Sequence, residues 1–191
     1  MPDTSDSPVT SGSRVTSDSP GTSDSPGTRD SVDDTRDAWA TVRPELDTTA
    51  IAVLGRIHRL SRAVTLLSDA LLEPFGIGRG EFDVLSVLRR SDSPVAATRL
   101  AHLLTVSNAA ITKRMLRLEA SGLAERQRSS HDKRVVLVDL TPAGRDLIDA
   151  ALPAQLGLEA EIADVLGCGD RDATESALRR LLVEAERRLN A

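Results

Sequence analysis

The sequence reads as mainly α-helical with one small β-hairpin, and three observations lead there. Apolar residues recur at three- and four-residue spacing through most of the chain, the period of helices with one buried face. Val135 to Leu140 is instead β-rich, and Leu123 to Gln127 before it reads as an edge strand, the two joined by a polar tip from Arg128 to Arg134. Directly ahead of these strands stand two short helices split by a tight turn. A helix-turn-helix followed by a hairpin is the layout of a winged helix-turn-helix, here flanked by long helices at both ends.

Taken in order, residues 1–32 are expected to be a disordered, low-complexity acidic tail. TSDSP occupies Thr4 to Pro8, and TSDSPG recurs in tandem at 16–21 and 22–27. Ser, Thr, Asp, Pro and Gly in such runs offer almost nothing to bury. Residues 33–73 are assigned to N-terminal dimerisation helices. Asp33 to Val42 makes a short helix carrying Trp39, and Pro44 interrupts it. Asp47 is expected to cap a long helix to about Leu72, with Ile51, Leu54, Ile57, Val64, Leu67 and Leu71 on its apolar side. Pro74, Gly76, Gly78 and Gly80 end it.

Residues 74–140 make the winged helix-turn-helix. Glu81 to Arg90 is a helix burying Phe82, Leu85 and Leu88, Ser91 to Pro94 is a turn, and Thr98 to Leu104 is a short helix. After the turn at Thr105-Val106, the Ser107 hydroxyl can cap the next helix. Ile111, Met115 and Leu118 form its buried stripe, and Gly122 falls where it would end in the left-handed conformation. Residues 141–191 are assigned to C-terminal dimerisation helices. Thr141 is a cap with Pro142 at the first position, and the helix runs to about Leu166. Gly167-Cys168-Gly169 breaks it, and Asp170 caps a last helix with Ala177, Leu178, Leu181, Leu182 and Leu189 on one face. A winged helix does not need flanking helices this long, and a second copy of the chain is the expected cover for their apolar faces.

Charge points to the partner. Ser107 to Arg134 holds seven basic residues (Lys113, Arg114, Arg117, Arg126, Arg128, Lys133 and Arg134) against Glu119, Glu125 and Asp132, a local +4 in a chain of net charge −5. Met1 to Ala38 alone has eight Asp and three Arg, which accounts for the whole of that −5. The acidic total therefore does not argue against binding double-stranded DNA. A solvated basic face is the plain alternative; the helix-turn-helix just upstream favours DNA. In that reading Ala109, Thr112 and Lys113 face the major groove, with Ser107 and Asn108 at the tip of the helix. Arg117, Arg128, Lys133 and Arg134 are the remaining cations of the DNA surface, and Asp132 shapes the wing.

Other classes find less support. No apolar run approaches a membrane span and no signal-peptide core is present. Cys168 is the only cysteine, which excludes an intrachain disulfide and fits a cytoplasmic, nucleoid-associated protein. His58, His102 and His131 with one Cys make no recognisable zinc site, so no metal or cofactor is expected. The hairpin and its helix lack the aromatics that stack RNA bases, which leaves an RNA- or protein-binding winged helix as a remote alternative. No phosphate loop, nucleophile elbow or catalytic carboxylate pair points to an enzyme.

The segment SGLAERQRSSHDKRVVLVDLTPAGRDL resembles the wing of the MarR family of bacterial regulators. It has that family's Gly122-Leu123 turn, its Asp132-Lys133-Arg134 tip and its Leu140-to-Gly144 helix start. The resemblance covers about Trp39 to Asn190. It implies a homodimer on a pseudo-palindromic operator, a repressor or sometimes an activator, released by a small ligand. WATVRPELDTTAIAVLGRIHRLSR, GEFDVLSVLRRS and ITKRMLRLEASGL are similar to the urate-responsive, PecS-like branch. That likeness implies a urate-like ligand held by Trp39, Asp83 and Arg114, with Arg126 as a second arginine near the wing, and so adds a ligand-site role to residues 33–73. Another aromatic or phenolic compound, or an oxidant, is the alternative signal. From the residues alone, Trp39 reads equally as a packing anchor, and Asp83 with Arg114 as a structural ion pair. Arg114 flanks the buried stripe, so an anionic partner is expected for it.

Overall fold

The computed structural model describes residues 29–128 and 132–191. The expected tail therefore lies outside the described residues up to position 28, and so does His131. The chain divides into two compact units, residues 1–55 and 56–191.

In the first unit α1 spans Ser31–Val42 and opens earlier than the sequence suggests. The Asp30 carboxylate accepts from the Val32 and Asp33 amides, while the Asp33 side chain accepts from the Asp30 amide, a reciprocal cap. Val32 is buried and would press on a Cβ at Gly55, so the edge of the expected tail is packed helix. Asp47 does not cap the next helix. It makes a local turn, accepting from the Thr49 amide at 2.8 Å and from the Thr49 hydroxyl, and that hydrogen bonding holds its carboxyl below the ordinary aspartate range. Helix α2, Ile51–Leu72, starts four residues beyond it and runs across the division between the units.

In the second unit a short 3₁₀ turn, Glu73–Phe75, ends at Gly76 with φ 71. Helix α3, Arg79–Arg89, begins two residues before the expected Glu81 because its first amides find acceptors upstream and within. The Arg79 amide donates to Asp69 Oδ1 at 2.7 Å and the Gly78 amide to Glu81 Oε2 at 3.2 Å. Strand β1, Val95–Ala96, was not anticipated, since two residues carry no period. Helices α4, Ala97–Leu103, and α5, Asn108–Ala120, form the helix-turn-helix. Strands β2, Ala124–Arg128, and β3, Val136–Leu140, form the wing. The sheet is antiparallel in the order β1-β3-β2, with Val95 opposite Val138 and Ala124 opposite Leu140.

Phe82, Leu85 and Leu88 of α3, Leu100 of α4, Ile111, Met115 and Leu118 of α5, Val138 and Leu140 of β3, and Ile148 of α6 share one core. The wing is tied to it at its exit. Helix α6, Pro142–Ala163, is capped by Thr141, whose hydroxyl accepts from the Gly144 amide and donates to Gly122 O at 2.6 Å. A Cβ at Gly144 would lie 1.9 Å from Leu123 O, so only glycine allows this approach. Helix α7 spans Cys168–Leu189 with Gly167 as its cap, so Cys168 and Gly169 are helical and Asp170 lies in the first turn rather than at the cap. Among the described residues no helix is long and apolar enough to cross a membrane.

Candidate nucleic-acid interface

Helix α5 is positioned by its own start. The Ser107 hydroxyl accepts from the Ala110 amide at 3.1 Å. The preceding turn is closed by Val106 N to Ala101 O at 3.0 Å and by Thr105 at φ 51, a left-handed conformation that a β-branched residue rarely takes. Because Ile111, Met115 and Leu118 are buried in the core, the opposite face is set by the helical period. Ser107, Asn108, Ala109, Thr112, Lys113, Leu116 and Arg117 are all exposed on it. The Thr112 hydroxyl donates to Asn108 O at 2.9 Å.

The seven basic residues separate into two groups. Arg126 is bound by both its Nε, at 2.6 Å, and Nη2 to the Glu119 carboxylate. That pairing pulls the Glu119 carboxyl below the ordinary glutamate range and raises Arg126. Arg126 therefore braces α5 against β2. Arg117 donates to Glu81 Oε1 at 3.0 Å, but its side chain stays 61% exposed. Arg114 lies against Gly80, where a Cβ would come within 2.7 Å of its Nε. By contrast Lys113, Arg128, Lys133 and Arg134 are exposed and form no ion pair among the described residues. At the wing, Asp132 accepts from the Arg134 amide through its side chain and from the Val135 amide through its carbonyl, both at 2.9 Å.

The expected pairing of Asp83 with Arg114 is not found. Asp83 accepts from Arg79 Nε at 2.8 Å, one helical turn away. Arg79 Nη1 also donates to Glu159 Oε1 at 3.1 Å and to the buried Ser68 hydroxyl at 3.2 Å, so one guanidinium joins α2, α3 and α6. Burial works against that charge, but the Asp83 hydrogen bond and the two carboxylates outweigh it and raise Arg79 above its ordinary value. The Arg79–Asp83 spacing was open to sequence reading as an i, i+4 pair. Glu159 was not, being 80 residues away. Trp39 belongs to the unit that ends at Gly55, and Asp83, Arg114 and Arg126 to the other.

A helix-turn-helix with an outward recognition face, unpaired cations and a wing defines a DNA-binding transcriptional regulator. Residues 67–151 match the family model described as "Transcriptional regulator SarA/Rot". The chain is 28% identical over 160 residues to the HTH-type transcriptional regulator PecS of Dickeya dadantii, covering 83% of this chain and 94% of that protein. A crystal structure of a mutant Escherichia coli MarR complexed with operator DNA superposes with a TM-score of 0.63 at 27% identity, over 75% of this chain and 97% of that one. AbsC, a MarR family regulator from Streptomyces coelicolor, shares the fold at TM-score 0.67 and 20% identity, over 74% and 97% of the two chains. These likenesses support a MarR-family transcriptional regulator, PecS-like in kind; the relatives named are regulators, not enzymes.

Proposed function

We propose that this regulator is a repressor that binds a pseudo-palindromic operator as a homodimer and releases it when urate or a similar planar anion binds. The observation that carries the DNA part is the exposed α5 face from Ser107 to Arg117 beside the exposed Arg128, Lys133 and Arg134. One recognition helix per chain suits two half-sites about one helical turn apart. For the dimer, the support is α7: it has no buried residue, yet carries Leu178, Leu181, Leu182, Val183 and Leu189, all exposed in the single chain. Leu60, Leu66 and Leu67 of α2 are exposed in the same way. Two copies packing these faces would remove that area from water.

The urate assignment draws on the likeness to PecS and on Trp39, Asp83, Arg114 and Arg126. A ligand coupled to DNA by about 1–3 kcal/mol weakens operator binding by roughly 5- to 150-fold, and operator weakens the ligand equally. The test is an anisotropy titration of an operator duplex with and without saturating urate. Release by urate, with two chains per duplex, is expected. Equal affinities remove the urate assignment and leave DNA binding standing. Release by a phenolic acid or an oxidant instead would name a different signal.

A further inference from the structure

Helix α5 carries a large apolar side chain that the core does not use. Leu116 is 57% exposed, while Ile111, Met115 and Leu118 of the same helix are buried. Leu116 follows Thr112 and Lys113 by four and three residues, one turn, and Ala109 by seven, about two turns. Those three are exposed with it. Ala109 and Leu116 therefore make an apolar line along the middle of the outward face, with Thr112 on one side of it and Lys113 on the other. Turning Leu116 inward would rotate the helix and unseat the three buried residues.

The charge around Leu116 selects what can cover it. Lys113 and Arg117 flank it, and both are exposed, Arg117 despite its bond to Glu81 Oε1. An apolar protein surface laid over Leu116 would bury these cations as well, which costs free energy unless each finds an acceptor. The major groove of DNA carries no such cost. Its edges are phosphates, which suit the two cations, and its floor presents the C5-methyl group of every thymine. An apolar line between cations is complementary to that arrangement.

We propose that Leu116 is a specificity-determining residue: it packs against the C5-methyl of a thymine in the major groove and so selects a T·A pair at that place in the operator. The preference has two sources. The methyl and the leucine remove each other from water. A G·C pair there would set the cytosine amino group, or guanine O6 and N7, against a side chain that neither donates nor accepts, and those groups would lose water unpaired. Ala109, with only a methyl group, does not hold the helix off the bases. The inference rests on the reading that this face of α5 enters the groove, and deepens it. Thr112 and Lys113 can read base edges by hydrogen bonds, whereas Leu116 reads by apolar contact.

The test is uracil scanning of an operator selected by the full chain from random duplexes. Each thymine in turn is replaced by uracil, which keeps the base pair and removes only the methyl group. Wild type should lose about fourfold in affinity at the thymine that Leu116 meets. Leu116→Ala should bind the thymine and uracil duplexes alike at that position, and Leu116→Met, which restores apolar reach, should discriminate again. Both variants should keep the wild-type salt slope, since the side chain meets no phosphate, and a wild-type urea midpoint shows that they are folded. A wild type indifferent to uracil at every thymine, or a Leu116→Ala variant with the full wild-type uracil profile, overturns the assignment. If Thr112→Ala or Lys113→Ala changes the ranking of operators while Leu116→Ala leaves the uracil profile intact, the groove reading of α5 stands and the role of Leu116 falls. If none of the three changes the ranking, both fall. Loss of dimer in sedimentation by Leu116→Ala, with its uracil profile unchanged, makes Leu116 a contact between chains and likewise overturns the assignment.

Discussion

At the scale of single residues, Gly144 carries the sharpest steric statement in the chain. It sits at the start of α6, and the carbonyl of Leu123 occupies the place where a Cβ would be. A side chain there has to push apart the Thr141 bonds to Gly122 O and Leu123 O, which hold the wing exit on the end of α5. Gly144→Ala should therefore destabilise the fold by about 2–3 kcal/mol, seen as a lower urea midpoint. An unchanged midpoint would mean that the junction is looser than described. Gly80 differs in kind, because what its Cβ would meet is the far end of the flexible Arg114.

Among the elements, the proposed recognition is divided between α5 and the wing. Thr112 and Lys113 stand on the exposed face, where major-groove base edges would lie, while Arg134 is at the wing. Replacing Thr112 or Lys113 by Ala should change the ranking of operator sequences. Replacing Arg134 by Ala should weaken all sequences alike and reduce the salt slope by about one. Binding-site selection against salt titration separates the two outcomes, and a uniform loss from the Thr112 change would move α5 out of the groove. Arg117 and Arg126 are held by Glu81 and Glu119, so their charges are partly spent inside the protein. Helix starts at Ser107 and Thr141 were legible because a hydroxyl cap is a local choice. The start of α3 was not, because its amides are taken by Asp69 and by Glu81 within the helix.

For the whole molecule, the winged core closes on itself while α7 buries nothing. Leu182 is 59% exposed in the single chain, so Leu182→Asp leaves that core untouched. If the proposed dimer packs through α7, this change should turn it into monomers in sedimentation and cost operator affinity, because each chain then binds one half-site alone. A dimer that survives both this change and Leu178→Asp would place the partner elsewhere.

The helical period, the caps at Ser107 and Thr141, the left-handed Gly122 and the basic island were all readable from residues close together in the chain. They depend on backbone geometry and on side chains within one or two turns, and those determine the winged helix and its outward face. Pairing across the core was another matter. That Asp83 pairs with Arg79, which also binds Glu159, and not with Arg114, and that Arg126 is spent on Glu119, are long-range outcomes. Several carboxylates compete for each guanidinium, and the packing of α3 against α5 and α6 selects the winner. The sequence by itself determined the winged helix and the basic face proposed to read DNA; only the tertiary structure decided which of its charges, among the described residues, are held by carboxylates.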